Sequence, residues 1–443
     1  MSNQAGWAEI EITPPLGLPM GGRGPRFTPG AQILDPLMAQ AIVFEDQNGK
    51  RQLWLSLDLI GMDHARAARL RQRLSALSGA PYPAVVINFA HVHSGPMTNF
   101  HKYPTLISEP PLLSRYHDAL IEALDSLVMQ ALTKLQPVTI RVHRGTSHIG
   151  INRRRADRGR IIMAPNPAGV YNPDLWVLDV QSQIGDERAV LFSYGCHPVI
   201  AYGYAWDGVS ADFPGATRQA LRQQLGPHAQ GQFIQGLAGD VRPRALTDTT
   251  TAAFRKSSPE DLQRVSDELT RDVIAALRSP AEPLTLALDA VSDWVHPRRD
   301  LERMPSLDFW RTMAEQEDEL SRNVGRYWAQ VLSSGRSLPG ILPMEIGLLQ
   351  LAPGHRIAWF NGEAVAEWLS LLRGWLQDPR LVAWGYCQEV STYLPTDALL
   401  LEGGYEVINA NWYDELGPAP FAAGIDETFR KGFEALARRL ATY

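Results

Sequence analysis

Cysteine is nearly missing: Cys196 and Cys387 are the only two in 443 residues. Two thiols make neither a disulfide framework nor a thiolate zinc cluster, and a reducing compartment is expected. No run of about 18 apolar residues occurs, so no membrane span is expected. The stretch Met1 to Trp7 has neither a basic n-region nor an apolar h-region and leads directly into the alternating Ala8-Glu9-Ile10-Glu11-Ile12. No secretory signal is read there, and a cytoplasmic location is expected. A basic excess is lacking too: a formal charge of -6 gives no electrostatic case for nucleic acid. Repeats, low-complexity tracts and composition shifts are absent, and nothing in the sequence fixes the oligomeric state. One mixed α/β unit over residues 1–443, with mixed β-sheets flanked by helices, is expected.

What is present is ordinary for a globular chain, 45% hydrophobic and 20% charged. Alternation and apolar runs predict strands at 8–12, 39–45, 53–59, 84–90, 138–144, 175–181, 189–194, 232–236, 285–295, 345–352 and 356–360. Helical spacing predicts helices from Asp63, at 115–135 and 214–224, behind Ser258-Pro259, over a charged stretch at 306–333, after Glu363, and at 426–441.

The chemistry gathers at strand ends. Asn88 to Pro96 reads N-F-A-H-V-H-S-G-P and follows the apolar Ala84-Val85-Val86-Ile87. On an extended backbone His91 and His93, two residues apart, point to one face, so both imidazoles reach one point. His197-Pro198 ends another strand. Gly236-Leu237-Ala238-Gly239-Asp240-Val241-Arg242-Pro243 follows a third, its glycines permitting close approach to a ligand. Asn361-Gly362-Glu363 follows a fourth and is expected to open a helix. Tyr393 lies in the segment after a fifth. Singly, each has a structural reading: a packed histidine, a carboxylate at a helix N-terminus, a core aromatic. Together, histidines and a carboxylate with an open position make a hydrolytic zinc set.

The order of these motifs resembles the neutral/alkaline ceramidase family. The matching stretches are Ile12-Thr13-Pro14, His91-Val92-His93-Ser94-Gly95-Pro96, Asn152-Arg153, His197-Pro198, Gly239-Asp240-Val241-Arg242-Pro243, Gly362-Glu363, and Tyr393 with Tyr405-Glu406. They spread over about residues 8–410. The resemblance implies a ceramidase-like catalytic domain in which His91, His197, Glu363 and Tyr393 hold zinc. By the same resemblance His93 hydrogen-bonds the substrate or orients a polarised oxygen, and Arg153 and Tyr405 stabilise a developing oxyanion. Imidazole, carboxylate and phenolate are all acceptable zinc donors.

Two departures shape the functional expectation. The family's G-D-V-x-P loop carries serine at x, where this chain has Arg242. The family's C-terminal immunoglobulin-like domain is expected to be lacking. A guanidinium stays protonated and only donates, so it supplies no oxygen nucleophile. Arg242 is cast as a catalytic clamp on a substrate carboxylate or a developing negative charge. Arg23 and Arg26, the run Arg153-Arg154-Arg155, and Arg242 with Arg244 are expected to converge on the metal pocket, which points to a small anionic substrate. The expected function is zinc-dependent hydrolysis of an amide or related bond in a small, anionic, non-lipid substrate, with no membrane or nucleic-acid partner. A metal-dependent lyase acting on a uronate-containing saccharide is the second reading. A ligand-binding protein without catalysis is the third.

Overall fold

The computed structural model describes residues 3–22, 26–103, 105–106, 108–414 and 416–440, with residues 26–27 described by backbone alone. A nine-stranded mixed sheet forms the centre. Its main path runs Ala229–Gln235, Arg188–Tyr194, Asp174–Ser182, Gln136–Thr146, Gln4–Glu11, Met38–Glu45, Arg51–Leu57, Val85–Phe89, with the short Glu282–Leu284 beside Gln136–Thr146. A four-stranded sheet, Asp289–Val295, Met344–Ala352, His355–Phe360 and Val382–Trp384, packs against it.

Period-two alternation explains the layering. In Met38–Glu45, Ala39, Ala41 and Val43 pack with the helical residues Leu70, Leu74, Leu120, Leu124 and Leu127. Ile42 and Phe44, on the opposite face, pack with Trp359 and Trp384 of the smaller sheet. The outer face of the smaller sheet is covered by the helices Trp368–Trp375 and Ile425–Leu440, through Trp368, Phe429 and Phe433 against Phe360. The layer order is helix, sheet, sheet, helix. Each large apolar side chain so buried contributes roughly 1.5–3 kcal/mol.

Several boundaries differ from the sequence expectation. The charged stretch 306–333 is two helices, Leu307–Met313 and Glu319–Ser333. Asp318 starts the second as N-cap, its side chain accepting from the Ser321 N–H at 2.8 Å. The 285–295 strand begins at Asp289. Glu363 does not open a helix. It lies in the two-residue strand Glu363–Ala364, parallel to Tyr393–Leu394, and the helix starts at Trp368. A three-stranded sheet of Gly150–Asp157, Arg160–Asn166 and Val241–Pro243 was not anticipated.

This topology assembles the site. The two outermost strands of the large sheet, Val85–Phe89 and Ala229–Gln235, each run parallel to their neighbour. Asn88 joins these edges: its Nδ2 donates to the Gln235 carbonyl at 3.2 Å and the Gly385 carbonyl at 2.9 Å, and its Oδ1 accepts from the Gln235 N–H at 2.8 Å. The carboxyl ends of Val85–Phe89, Arg188–Tyr194, Ala229–Gln235 and His355–Phe360 therefore meet. In α/β sheets, ligands bind outside such ends.

Candidate metal centre

His91 and His93 reach one cavity, but not along an extended strand. The strand stops at Phe89, and His91 is left-handed at φ 65°. Tyr386 (φ 57°) and Gln388 (φ 66°) are also left-handed, in the segment lying against Val85–Phe89. Non-glycine residues hold such angles only when the surroundings over-determine them, and they cluster at functional sites. Here the Phe89 N–H bonds the Tyr386 carbonyl at 2.9 Å, and the His91 N–H bonds the Leu59 carbonyl at 3.0 Å.

Each of two imidazoles is oriented by a backbone carbonyl. His91 Nδ1 lies 2.7 Å from the Ile60 oxygen, and His197 Nδ1 lies 2.6 Å from the Ala238 oxygen. A carbonyl only accepts, so both Nδ1 atoms carry the proton and both Nε2 atoms present lone pairs. Burial, with Arg153 as the next cause, brings the His197 imidazole down to about 4, so it is neutral at pH 7. Glu363 Oε2 stands 3.3 Å from Nε2 of His91 and 3.3 Å from Nε2 of His197. The Tyr393 hydroxyl lies 3.4 Å from His197 Nε2.

These separations test whether a metal fits. Four donors placed tetrahedrally at zinc bond lengths of about 2.0–2.1 Å stand about 3.3–3.4 Å apart. Lone pairs of two imidazoles and a carboxylate facing one another at that distance repel unless a cation lies among them. The residues therefore fit a divalent ion. His93 completes a buried trio with His91 and His197, whose ligand atoms lie within 4.8 Å of one another. Its ring is 5.0 Å from that of His91 and 5.6 Å from that of His197.

Arg153 supports the cage from the side. Its Nε donates to Glu406 Oε1 at 2.7 Å and its NH2 to the Tyr393 hydroxyl at 3.1 Å. Its guanidinium carbon lies 5.6 Å from the ring centres of both Tyr393 and Tyr405. Asp240 braces the loops: its Oδ1 accepts from the Ala366 N–H at 2.8 Å, its Oδ2 from Asn152 Nδ2 at 2.9 Å, and its carbonyl from the Arg153 N–H at 2.8 Å. A cavity of about 90 Å³ is lined by His91, His93, Arg153, Arg242, Glu363, Tyr393 and Tyr405, and His197 stands directly behind Glu363.

The structure thus brings all eight singled-out residues together. It does not bring every arginine. Arg154 turns away to Glu406, Glu402 and the Gly403 carbonyl. Arg155 bonds the Ala252 carbonyl, and Arg244 bonds the carbonyls of His148 and Gly150 over the Tyr171 ring. Arg23 and the Arg26 side chain lie outside the described residues. Arg242, half-buried, lies 4.7 Å over the Phe254 ring and reaches Met163 Sδ at 3.7 Å.

Sequence reasoning missed Tyr386, Lys102, Tyr103 and Tyr202. Tyr386 is fully buried, its ring 4.5 Å from His91 and 5.9 Å from His197. Lys102, Tyr103 and Tyr202 line the cavity. None carries a local signal. The hairpin that presents Arg153 does have one, since Arg158 and Gly159 at its tip both have positive φ, as the tightest hairpin turns require.

Two solved structures of the same architecture are ceramidases. The neutral ceramidase from Pseudomonas aeruginosa matches with a TM-score of 0.74 at 15% identity, over 99% of this chain and 74% of that one. A ceramidase complexed with C2 matches with a TM-score of 0.74 at 14% identity, over 100% of this chain and 76% of that one. The chain has a ceramidase-like fold. No protein-family model matches it, and no curated protein matches it in sequence. Among the described residues no helix is long and apolar enough to cross a membrane.

Proposed function

We propose that the chain is a metal-dependent hydrolase that cleaves an amide or related bond in a small, anionic, non-lipid substrate, with zinc the ion. The carrying observation is Glu363 Oε2 placed 3.3 Å from two imidazole nitrogens whose partner nitrogens are fixed by carbonyls. His91, His197, Glu363 and Tyr393 would hold the ion, with His93 beside them. A divalent ion there supplies Lewis acidity and lowers the pKa of water at the site.

The chain's own groups do the rest. Arg242 carries no hydroxyl, so water supplies the nucleophile: its oxygen bonds the carbonyl carbon, the C–N bond breaks, and a proton passes to the leaving nitrogen. His93, whose ring is 5.0 Å from that of His91, would hold that proton in transit. The Tyr405 hydroxyl donates to the developing oxyanion, and Arg242 at the mouth pairs with the substrate's negative charge. Arg153 positions Tyr393 through their 3.1 Å bond. Two buried free thiols suit a reducing, cytoplasmic setting. No membrane or nucleic-acid partner is proposed.

The test is metal analysis of protein purified without added metal, followed by turnover of N-acyl acids scored by released amine. About one ion per chain is expected, lost together with activity in Glu363→Gln. Full turnover by metal-free protein sinks the proposal. An unsaturated product from an acidic saccharide, with no amine released, moves the assignment to the lyase.

A further inference from the structure

A cavity of about 320 Å³ is lined by strands of both sheets and shares no lining residue with the metal cavity. That volume suits a compact small molecule. Three neighbouring strands of the large sheet give it one wall. Trp176 stands directly opposite Arg144 on one side and Ser193 on the other, so the three side chains share a face. The helix Trp368–Trp375 supplies Arg373 in its last turn, and Arg380 comes from the turn before Val382–Trp384.

Three guanidiniums thus line the cavity against two carboxylates, Asp174 and Glu282. Arg373 NH2 lies 2.8 Å from Asp174 Oδ2, and Arg380 NH1 donates to Glu282 Oε1 at 3.0 Å. Both carboxylates are therefore engaged, and Glu282 also faces His355 Nε2 at 3.0 Å. Arg144 differs. Among the described residues its guanidinium bonds only the neutral Arg380 carbonyl, from NH2 at 2.8 Å. Partial burial, then Arg373 and Arg380, lower the Arg144 guanidinium below its ordinary value, and Asp174 and Glu282 only partly oppose this. One positive charge is left over where like charges crowd, and an anion among them relieves the crowding.

These donors are within reach of a ligand. Arg144 is exposed, and the side chains of Arg373 and Arg380 are 25% and 46% exposed. Each guanidinium has five N–H groups. The bonds above, with Arg373 Nε to the Leu381 carbonyl at 3.1 Å, leave most of them unused among the described residues. Asn172 Oδ1 accepts from the Asp174 N–H at 3.1 Å, which leaves its amide nitrogen as a further donor, and Ser193 adds a hydroxyl. Neutral donors beside carboxylates suit a hydroxylated body rather than a hydrocarbon one.

We infer that this cavity binds a small hydroxylated phosphomonoester, its phosphate held by Arg144 with Arg373 and Arg380 and its hydroxyls by Asn172, Ser193 and Asp174. A phosphomonoester carries about -1.5 to -2 charge and three terminal oxygens, so it can engage three guanidiniums at once, where a carboxylate has two oxygens. The inference uses no residue of the metal cavity and stands whether or not the cage holds a metal.

The experiment is calorimetric titration of the protein as purified with glucose 6-phosphate, glucuronate and glucose, which share a pyranose body and differ at carbon 6. Glucose 6-phosphate should bind one-to-one and at least about tenfold tighter than glucose, with glucuronate between. Arg144→Gln removes an exposed side chain that makes no ion pair, so folding is expected to survive, and it should erase the preference of the phosphate over glucose. Arg144→Lys should restore part of that preference, since the charge remains and the fork does not. Arg242→Ser and Glu363→Gln should leave glucose 6-phosphate binding unchanged, which separates this site from a phosphate bound in the metal cavity. No binding of glucose 6-phosphate, equal binding of glucose, glucuronate as tight as the phosphate, or binding unaltered in Arg144→Gln each overturns the inference. Metal content and released amine, which decide the hydrolase reading, play no part in this titration, so the two can fail separately.

Discussion

Glu363 and Arg242 line one cavity but are held by different means. Glu363 is 4% exposed, its N–H bonded to the Thr392 carbonyl at 2.8 Å, its carboxylate between imidazoles that are themselves tied to Ile60 and Ala238. These ties run to main chain, so the His91, His197 and Glu363 part of the cage is set by the path of the backbone, while Tyr393 is held by the Arg153 side chain. Arg242 is half-buried and held by the sides of other side chains, the Phe254 ring and the Met163 thioether. A backbone-anchored cage tolerates few alternatives, whereas a rim of stacked side chains can be exchanged without moving the cage. Such a separation lets side chains at the rim, Arg242 among them, vary without moving the cage.

The strongest way to break that contrast is to unsettle the cage from outside. Glu406 is 2% exposed and accepts from Arg153 Nε and Arg154 NH1, both at 2.7 Å. Burial pushes its carboxyl up, and the two guanidiniums more than reverse this, holding it below 4.5. Glu406→Gln leaves buried guanidiniums short of their counter-charge, at a cost of about 3–5 kcal/mol in stability. Arg153 then loses its hold on Tyr393, and metal affinity should fall about 10–100-fold, as for other outer partners of a metal site. Urea unfolding and metal titration read the two effects. A variant as stable as the parent would show that the cage does not depend on this ion cluster.

A smaller effect is expected at the rim. Arg242→Ser should lower kcat/KM on an anionic substrate by the worth of one charge-assisted hydrogen bond, about 1.5–3 kcal/mol, and leave metal content unchanged. Arg242→Lys should recover part of that loss, since the charge remains and the fork does not. Metal loss in either variant would erase the distinction between cage and rim. Unchanged kcat/KM on an anionic substrate would remove Arg242 from the site.

The same contrast explains what the sequence revealed. That His91, His93, His197 and Glu363 gather in one place was legible because side chains able to ligate a metal are few at the ends of strands. The strand pattern was legible because one face of each strand meets helices and the other meets a sheet, as with Ala41 and Ile42. The anchors were not legible: Ile60 and Ala238 act through carbonyls, which every residue possesses. Tyr386 was hidden because its approach to His91 depends on positive φ in two separate segments. The break at 314–318 was overlooked although Asp318 marks it, because charge spacing runs through the turn as it would through a helix. Arg244 shares a loop with Arg242 and looked equivalent, yet the short turn after Pro243 sends it to the carbonyls of His148 and Gly150.

The smallest expected effect concerns the wall that carries Lys102 and Tyr103. Glu109, a few residues on, faces His117 Nδ1 at 2.6 Å and also pairs with Arg66. Burial lowers the His117 imidazole below 6.5, Arg66 adds to this, and Glu109 only partly opposes it. Burial raises the Glu109 carboxyl, but Arg66 and His117 outweigh it and the net is below 4.5. Both folded values lie below the unfolded ones, so the unfolded chain binds more protons as pH falls. The His117 contribution is fully present above about pH 6.5 and is lost as pH drops through that value toward its folded one; the Glu109 contribution is lost lower, below about 4.5. His117→Gln should therefore flatten the decline of the urea midpoint between about pH 7.5 and 5.5, while leaving the decline below about pH 4.5 in place. Because the wall belongs to the rim, metal content of the folded protein at pH 7.5 should be the same in His117→Gln and the parent. An unaltered decline between pH 7.5 and 5.5 would show that His117 titrates alike in folded and unfolded chains, and a loss of metal in the variant would tie this wall to the cage.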